Sequence, residues 1–472
     1  MRQINKNIVR SIIVSYKNNT TKGQMNFTLS TLLISCFLSF VSGSPLYAQS
    51  QVWSVDDCIN YALQKNIQVQ QANVSSEIDQ IDLLYAKAAW LPSLSGSARE
   101  SFSWGNQFNS TTGSSTFTGT NGTNFSLSSG MTLYNAGRIR NGVRQSETNY
   151  EAGTYNTEVI KETVSLNVLN AYLQVLYAEE QVKNIDGQIT SLTEQLNLAA
   201  ERLKLGAIAN SDYLQVKSQL ATEQQTLATA QSQLAINRIT LMQLMELPET
   251  NDFAIEHPNL DSLINLKRIP DPTEVYQLAL GIKPEVKNAE LNKQSSEIGV
   301  QLARAGYFPS LSMNAGLSTL YSGGSGKSSF GSQLNDNISP VIGLSASFPI
   351  YLNRQIRTNV EIAKKNTNNA ELNELNVKNQ LRKAIEQACQ DVISSQIEYE
   401  ASAEAYKAVK ESYDVASEKY FQGIMNSVDF LIQKTAYITA ESTLLQSKYK
   451  LIFSYKVLDF YSGRPLSFKN SK

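Results

Sequence analysis

The sequence predicts a mostly α-helical chain with a transmembrane β-barrel portion, arranged as two internal repeats of helix, strand, strand and long helical hairpin. Three observations predict this fold class. Motifs recur at a constant offset of 217 positions along the 472 residues, short stretches alternate apolar with small polar residues, and long proline-free stretches carry apolar heptads. The offset indicates a duplication, and the two periodicities indicate strands and coiled-coil helices.

The duplication is clearest at a glycine-to-aspartate pattern. The segment ERLKLGAIANSDYL contains Gly206 and Asp212, and the segment EKYFQGIMNSVDFL contains Gly423 and Asp429 at the same spacing. The same offset aligns the two PSLS segments and the two IR dipeptides without a gap. A turn motif used twice by chance would not keep this register over most of the chain, so two copies of one unit are predicted.

The duplication divides the chain into five parts. The apolar run LSTLLISCFLSFV follows a positively charged start, as in a secretory signal peptide. This run is shorter than the ~20 apolar residues of a spanning helix, so we expect export without an inner-membrane anchor. The predicted parts are a signal peptide (1–48), repeat 1 (52–248), a connector (249–268), repeat 2 (269–465) and a C-terminal tail (466–472).

Two alternatives stay open within the leader. Translation that starts at Met25 would shorten the long charged segment before the apolar run. The letters LISC resemble a lipidation box that ends at Cys36, although the apolar run continues past this cysteine. Both alternatives leave the prediction of export unchanged.

Each repeat opens with a predicted helix and continues with two predicted strands. Ser54 and Thr273 are N-cap residue types, and the helical pattern after them continues to Trp90 and Phe308. Pro92 and Pro309 follow and are expected to end these helices, because proline cannot donate to the helix ladder. The predicted strands occupy about 93–104 and 124–134 in repeat 1, and about 310–321 and 340–350 in repeat 2.

The predicted strands alternate residue by residue. Phe125 and Leu127, for example, alternate with Ser126 and Ser128. Alternation over about ten residues is typical of a membrane barrel strand, whose outer face contacts lipid and whose inner face contacts water. A soluble hairpin with one buried face is the alternative. Glu100 shares the apolar face, so the barrel interpretation requires a bulge or a position near the rim.

Long helical hairpins follow the strands, over 138–247 and 355–462. Their first arms are about 67 residues long, which corresponds to about 100 Å of helix. Heptad spacing of leucine and isoleucine indicates coiled-coil seams. Gly206 and Gly423 suit left-handed helix ends at the hairpin tips. Caps for the returning helices are expected at Asn210-Ser211 and Asn426-Ser427.

Composition and motifs argue against several classes of function. The net charge is −1 without a basic cluster in the body of the chain, so no nucleic-acid partner is expected. The single histidine, His257, is interpreted as a surface residue, and Cys58 and Cys389 as packing residues. No nucleotide, cofactor or metal motif with suitable spacing is present, so the chain is predicted not to be an enzyme.

A single chain cannot close a barrel from four strands. Open edges in hydrocarbon leave backbone groups unpaired at several kcal/mol each, so several chains must share one barrel. Two chains would supply eight strands and three would supply twelve, and a water-filled interior favours three or more. The helices join the strands at Pro92, Tyr134, Pro309 and Tyr351, and are therefore expected to continue the barrel wall as a tube.

The order of motifs resembles that of the TolC-type outer membrane efflux proteins. The order is helix, LPSLS, strand, loop, strand, LYNAGRIR and long helix, with the tip pattern G-x5-D-[YF]-L in both copies. The resemblance covers essentially all of the mature chain. It implies a homotrimer with a 12-stranded β-barrel among outer membrane lipids and a 12-helix α-barrel that extends into the periplasm.

The resemblance also implies the function. It implies a passive exit duct of a tripartite efflux pump or a type I secretion system, with a periplasmic adaptor (membrane fusion) protein and an inner-membrane pump or ABC exporter as partners. The alternative is an exported periplasmic coiled-coil scaffold protein without channel activity. The candidate residues for the periplasmic tip or gate are Gly206, Asp212, Tyr420, Gly423 and Asp429.

The aspartates of the tip have two interpretations. In a trimer, Asp212 and Asp429 would place six carboxylates around the mouth of the tube, where they would repel one another and attract cations. Alternatively, each carboxylate complements the dipole of its returning helix. The resemblance implies a tyrosine and arginine latch at the closed tip. Tyr420 matches that tyrosine, whereas Met425 replaces the expected arginine and Ile432 a second acidic residue.

Overall fold

The computed structural model describes residues 52–248 except residue 112, and residues 253–258, 269–323 and 328–468. The predicted signal peptide, most of the connector and the last four residues of the tail lie outside the described residues. The chain from Val52 onward forms one compact unit, in which helices dominate as predicted. In this part of the chain, no helix is apolar enough over its length to span a membrane.

Both repeats contain two short helices, two strands and a long helical hairpin in this order, to which repeat 1 adds a first short strand and repeat 2 a helix between its two strands. Repeat 1 consists of β1 (Val52–Trp53), α1 (Val55–Lys65), α2 (Ile67–Ala88), β2 (Ser93–Asn109), β3 (Ser114–Tyr134), α3 (Arg138–Lys204) and α4 (Asn210–Leu244). Strand β4 (Ala254–Ile255) lies between the repeats and pairs in parallel with β1. Repeat 2 consists of α5 (Pro272–Ile282), α6 (Pro284–Ala305), β5 (Ser310–Ser322), α7 (Phe330–Asp336), β6 (Ser339–Ser347), α8 (Gln355–Phe421) and α9 (Ser427–Tyr461).

The opening helix of each repeat is broken into two, which the sequence pattern did not predict. Asn66 leaves helical geometry, and its side chain accepts from the N–H of Gln68 and thereby caps α2. In repeat 2 the break falls at Lys283, because Pro284 disfavours helical geometry in the residue before it. The second helix of each repeat ends four residues before the proline that was expected to stop it, α2 at Ala88 and α6 at Ala305.

One predicted N-cap is correct and the other is wrong. Ser54 caps α1 in a capping box with Asp57. Thr273 is not an N-cap, because the cap of α5 is Asp271, whose carboxylate accepts from the N–H of Thr273 at 2.9 Å. Pro272 occupies the first helical position, where its missing N–H has no cost, so the helix begins before the predicted threonine.

The first β-hairpin is longer than predicted. Most of the stretch between 104 and 124, predicted as a loop, extends β2 and β3. The pairing is supported across the strands, where the hydroxyls of Ser103 and Thr120 are 2.8 Å apart. The ring of Trp104 lies over Gly119, where a Cβ would come within 2.8 Å of it. Alternating threonines and small residues therefore form strand, which the glycine and serine content obscured.

The second β-hairpin is shorter, because a helical turn replaces part of one strand. Strand β6 is nine residues long and ends three residues before the predicted bound. Where β6 no longer pairs with β5, side chains of α7 and of the residue after it bond the backbone of β5. The side chain of Gln333 bonds both the N–H and the carbonyl of Ser322, and that of Asn337 donates to the carbonyl of Leu320. The outer end of β5 is thus capped by side chains.

The four long strands form one antiparallel sheet in the order β2-β3-β5-β6. The register aligns a row of serines across all four strands, namely Ser97, Ser126, Ser318 and Ser339. The neighbouring rows, on the opposite face, carry Phe125, Leu127, Leu317 and Ile342 among others. The sheet therefore has one small-polar face and one apolar face, as the alternation predicted.

Glu100 lies on the apolar face without a bulge but close to the outer end of the four-stranded part of the sheet, which is the second of the two predicted alternatives. Its pairing with Thr123 is regular along the whole hairpin. Its carboxylate accepts from the hydroxyl of Thr123, and at 3.5 Å from the side chain of Asn121. The bulge of the sheet lies elsewhere, between Thr132 and Tyr134. Polar partners on the same face therefore accommodate this charge.

The main core lies halfway along the helical hairpins. It joins α1, α3, α4 and the small β1-β4 sheet around Leu169, Tyr172, Leu176 and Leu241. The hydroxyl of Tyr172 donates to the carbonyl of Glu256 at 2.6 Å, which attaches the described part of the connector to this core. A second core forms from α5, α8 and α9.

The two described cysteines are buried packing residues. Cys58 lies in the main core and Cys389 in the second core, and neither forms a disulfide. Burial raises the pKa of the Cys58 thiol to about 12, with a smaller contribution from Asp57. The thiol is therefore protonated at neutral pH, which makes it a poor nucleophile.

A buried lysine joins four helices at the break of the second repeat. Lys283, between α5 and α6, has a side chain that is only 3% exposed. Its Nζ atom is 3.2 Å from both carboxylate oxygens of Glu162 on α3, and 3.1 Å from the ring centroid of Phe460 on α9. Burial lowers the pKa of Lys283, whereas Glu162 opposes this shift. A carboxylate and an aromatic face thus both contact the buried amino group.

We expect Glu162→Gln to lower the free energy of unfolding by about 3 kcal/mol, because it removes the carboxylate that bonds the buried ammonium. Thermal unfolding followed by circular dichroism in detergent measures the change. Glu158→Gln is the matched control, since its pair with Lys161 is exposed and contributes about 1 kcal/mol or less. Equal midpoints for the two variants would contradict the role of this pair.

Candidate functional site at the hairpin tips

The tips of the two helical hairpins turn in the same way. Gly206 and Gly423 have φ values of +67° and +77°, in the left-handed region predicted for them. The N–H groups of Gly206 and Ala207 donate to the carbonyls of Leu203 and Arg202, which closes the end of α3. Other residues are strained at positive φ, so glycine is required at both turns.

The caps that follow these glycines differ between the repeats. Asn426 caps α9, because its side chain accepts from the N–H of Asp429 at 2.8 Å and donates to the Asp429 carboxylate at 2.8 Å. The predicted cap at Asn210 is wrong, since the N-cap of α4 is Ala209 and no side chain caps this end. The cap position lies three residues after the glycine in both repeats, and Asn210 comes one residue too late.

The two candidate aspartates have different partners. The Asp429 carboxylate is engaged by the cap of its own helix. The Asp212 carboxylate accepts from the hydroxyl of Ser427 at 2.9 Å, and Ser427 begins the returning helix of the other hairpin. Asp212 therefore joins the two hairpins, whereas Asp429 stabilises one of them.

An arginine that the sequence analysis missed makes a second link between the hairpins. Arg202, in the last turn of α3, donates to the carbonyl of Phe421 at 2.6 Å and to that of Tyr420 at 3.3 Å. Its guanidinium also lies 5.9 Å from the Tyr420 ring centroid. These carbonyls end α8, where the helix dipole is negative and a cation is favourable. The charge in the last turn of α3 was visible in the sequence, but its partner on the other hairpin was not.

Tyr420 is buried inside the chain. Its ring stacks on Phe430 with centroids 4.5 Å apart, and Tyr413 and Met425 pack against the same pair. Burial raises the pKa of the Tyr420 hydroxyl. Met425, which stands where the resemblance implied an arginine, thus belongs to this aromatic cluster, and Ile432 is exposed.

A buried lysine lies next to this cluster. The Lys434 residue is only 3% exposed, and its Nζ atom donates to Oε1 of Gln195 on α3 at 3.3 Å. Removal from water lowers the pKa of Lys434 to about 8, and the charge of the buried Glu223 partly opposes this shift. Its counterpart in repeat 1, Lys217, is exposed. The same residue type therefore has different environments in the two repeats.

Sequence periodicity contains part of the signal for this polar contact. Gln195 follows Leu192 by three residues and precedes Ala199 by four, so it has seam spacing. All three residues are buried. The predicted seam, which was based on leucine and isoleucine, did not include this glutamine. Nothing in the sequence separates Lys434 from Lys217, because their burial depends on packing between hairpins.

The junctions between strands and helices also repeat. Pro92 and Pro309 directly precede β2 and β5, and Tyr134 ends β3. Tyr351 lies between β6 and α8 and is 80% exposed. Two consecutive left-handed residues precede each long helix, and they are Ala136 with Gly137 and Asn353 with Arg354. This costly geometry redirects the chain from strand to helix at equivalent places.

The described part of the chain offers no cluster of three or more His, Cys, Asp or Glu residues that would hold a metal ion. His257 is a surface residue, as predicted, with a side chain that is 63% exposed. Its Nε2 atom lies 3.1 Å from the carboxylate of Glu179, and this is an ion pair only when the histidine is protonated.

Comparison with known families settles the class of protein. Residues 58–246 and 275–464 match the family described as outer membrane efflux protein. The chain belongs to this family. The two matched segments correspond to the two repeats, so the assignment covers most of the described structure. This efflux protein is therefore an exit duct of the outer membrane.

Solved structures show the same fold at low sequence identity. The transmembrane channel CusC matches with a TM-score of 0.74 and 19% identity, over 87% of this chain and 92% of its own. The CmeC channel of Campylobacter jejuni matches with a TM-score of 0.73 and 20% identity, over 89% of this chain and 87% of its own. The open MtrE channel of Neisseria gonorrhoeae matches with a TM-score of 0.72 and 19% identity, over 89% of this chain and 91% of its own. Among curated protein sequences, none matches this efflux protein.

We expect Arg202→Ala to loosen the contact between the hairpin tips. The variant loses two hydrogen bonds from a charged donor, and we expect backbone hydrogen exchange in the last turn of α8 to become about tenfold faster. Hydrogen exchange with mass spectrometry measures the change. Lys419→Ala is the matched control, because Lys419 is the counterpart of Arg202 in repeat 2 and is exposed. Equal protection in both variants would show that Arg202 does not hold the tips together.

The buried Lys434 predicts a pH dependence. The folded chain binds this proton less tightly than the unfolded chain, so stability rises as the pH increases from about 8 towards 10.5. Below about pH 8 the full cost of the buried charge is present. We expect Lys434→Met to flatten this part of the stability curve, whereas the exposed counterpart variant Lys217→Met keeps it. Thermal unfolding at both ends of the range measures the difference, and parallel curves for the two variants would refute the assignment.

Proposed function

We propose that three copies of this chain form one passive exit duct, with a 12-stranded barrel in the outer membrane and a 12-helix tube in the periplasm. The observation that carries this proposal is the four-stranded sheet. It has an apolar face, a small-polar face and two outer strands, β2 and β6, that have a strand neighbour on one side only. In hydrocarbon, such edges are stable only when they pair with another chain.

The length of the strands fits a membrane. Strands β5 and β6 contain 13 and 9 residues, and β3 pairs with β5 from Gly122 onward. At about 3.3 Å per residue and a tilt of about 40°, these lengths correspond to heights of roughly 23–33 Å. The apolar band of an outer membrane barrel is about 25 Å tall. The paired part of the sheet therefore matches the hydrocarbon layer.

The number of copies follows from the need for a lumen. An eight-stranded barrel from two copies is filled by its own side chains. Twelve strands from three copies leave room for water, and the serine row lies on the face that would line it. The efflux protein family and the matched channels support this assembly.

The helices that flank the two sheet edges carry the matching contact surface. Helix α2 leads into β2 and exposes one apolar stripe, and α8 leaves β6 and exposes apolar side chains along its first turns. A copy that pairs its β6 with the β2 of its neighbour brings these two surfaces together. The stripe on α2 consists of Ile67, Val74, Ile78, Ile81 and Tyr85, and the side chains on α8 are Ile362, Leu372 and Leu375.

The partners of the duct follow from its tips. The tips of the hairpins lie at the far ends of the helices from the sheet, so they extend deepest into the periplasm. They are the proposed contact with a periplasmic adaptor protein, which connects the duct to an inner-membrane pump or ABC exporter. In this arrangement the pump supplies the energy and selects the cargo, and the duct carries it across the outer membrane.

The alternative is a soluble exported coiled-coil scaffold. In that case the apolar face of the sheet would need cover from the chain itself. The side chains of Ile342, Leu344 and Phe348 are 81%, 68% and 67% exposed in the single chain. Lipid and neighbouring copies account for this exposure, which favours the duct.

A charge in the α2 stripe tests the assembly. We expect Ile81→Glu to prevent trimer formation in detergent, because a neighbouring copy would bury the carboxylate without a partner. Gln80→Glu adds the same charge on the exposed surface of the same helix outside the stripe, and is expected to assemble normally. Native mass spectrometry measures the number of chains, and planar bilayers measure conductance. A wild-type monomer that remains soluble without detergent would refute the duct.

A further inference from the structure

The small-polar face of the sheet contains one charged residue. Within the four described strands, the positions on this face are occupied mainly by serine, threonine, asparagine and glycine, and Arg99 is the single charged exception. Its neighbours along β2 on the same face are Ser97 and Ser101, which bond Ser126 and the carbonyl of Gly122 across the hairpin. Alternation along the strand therefore places Arg99 on the face that lines the lumen of the proposed trimer.

No acidic group of the strands lies on the same face as Arg99. Its partners in the register are Asn124 on β3 and, beyond it, Leu320 on β5. The adjacent carboxylate, Glu100, lies on the opposite face, where it accepts from the side chains of Thr123 and Asn121. Glu100 therefore points away from the lumen and does not neutralise the charge of the Arg99 guanidinium there.

The position of Arg99 along the strand places it near the outer mouth. Arg99 lies six positions after the start of β2 and two positions before Ser101. Ser101 pairs with Gly122 of β3, and Gly122 forms the outermost pair between β3 and β5. Beyond this row, β2 and β3 continue as a two-stranded ribbon. Three copies would therefore place three guanidinium groups in one ring, close to the end of the closed barrel.

We propose that Arg99 forms an anion-binding ring at the outer mouth of the duct, which attracts inorganic anions and cargo that carries carboxylate, sulfate or phosphate groups. This inference rests on the proposed trimeric duct. Rings of charged side chains set ion preference in pores, and arginine rings favour anions. Arginine remains charged at every physiological pH, and its planar donors match oxyanions.

Ion preference in planar bilayers tests the ring. We expect Arg99→Gln to lower the chloride-to-potassium permeability ratio about fivefold, measured from the reversal potential in a potassium chloride gradient. Arg99→Lys keeps the charge and is expected to retain the wild-type ratio. Glu100→Gln is the matched control, since it removes a charge from the adjacent residue on the lipid face and is expected to leave the ratio unchanged.

A bound anion gives a second readout. Inorganic tripolyphosphate, added to the side of the bilayer that the outer mouth faces, is expected to reduce the current through the wild type and the Arg99→Lys variant. The Arg99→Gln variant is expected to need at least about tenfold more of this anion for the same reduction. Addition to the opposite side is expected to have a weaker effect, since Arg99 lies near the outer mouth.

The possible outcomes separate this inference from the function on which it rests. A conducting wild-type trimer whose reversal potential and tripolyphosphate response are the same in Arg99→Gln overturns the ring and leaves the duct intact. A wild-type protein that assembles in detergent but conducts no ions overturns the duct, and the ring with it. A shift of equal size in Glu100→Gln also overturns the ring, because the effect would then arise from net charge and not from the lumen.

Discussion

The structure depends on the inability of hydrocarbon to bond to peptide groups. A sheet of four strands has two outer edges, and in a membrane each edge needs a strand from another copy. This need determines the rest of the assembly. The helices leave the strands at fixed turns, so in the proposed trimer the copies that pair their edges would also bring α2 and α8 of neighbouring chains together. The apolar side chains on these two helices are thus explained by the pairing of the sheet edges in the membrane.

The two repeats share a plan but divide the work at the tips. In repeat 2, Asn426 caps the returning helix and engages Asp429, whereas Ala209 occupies the same position in repeat 1. Because no asparagine cap engages it, the carboxylate of Asp212 accepts a hydrogen bond from Ser427 of the other hairpin. Lys434 is buried where Lys217 is exposed. Duplication produced two similar hairpins, and small differences in their caps and seams convert them into a complementary pair.

The features that sequence predicted are those with a local cause. Alternation revealed both faces of the sheet, a positive φ required Gly206 and Gly423, and the constant offset revealed the duplication. The features it missed depend on neighbours distant in the chain. The partner of Arg202 lies more than two hundred residues away, and the burial of Lys434 depends on Gln195 of the other hairpin. The length of the first β-hairpin was underestimated because its glycines and threonines pair across the strands and resemble a loop in isolation.

The unequal lengths of the two β-hairpins affect the surface that the cell presents to its surroundings. Strand β5 ends in a cap formed by Gln333 and Asn337, whereas β2 and β3 continue past it as a free ribbon. The backbone edges of this ribbon face water, so their N–H and C=O groups need no strand from another copy, unlike those of the barrel. Substitutions in this ribbon are therefore expected to disturb the assembly less than substitutions in the four-stranded part of the sheet.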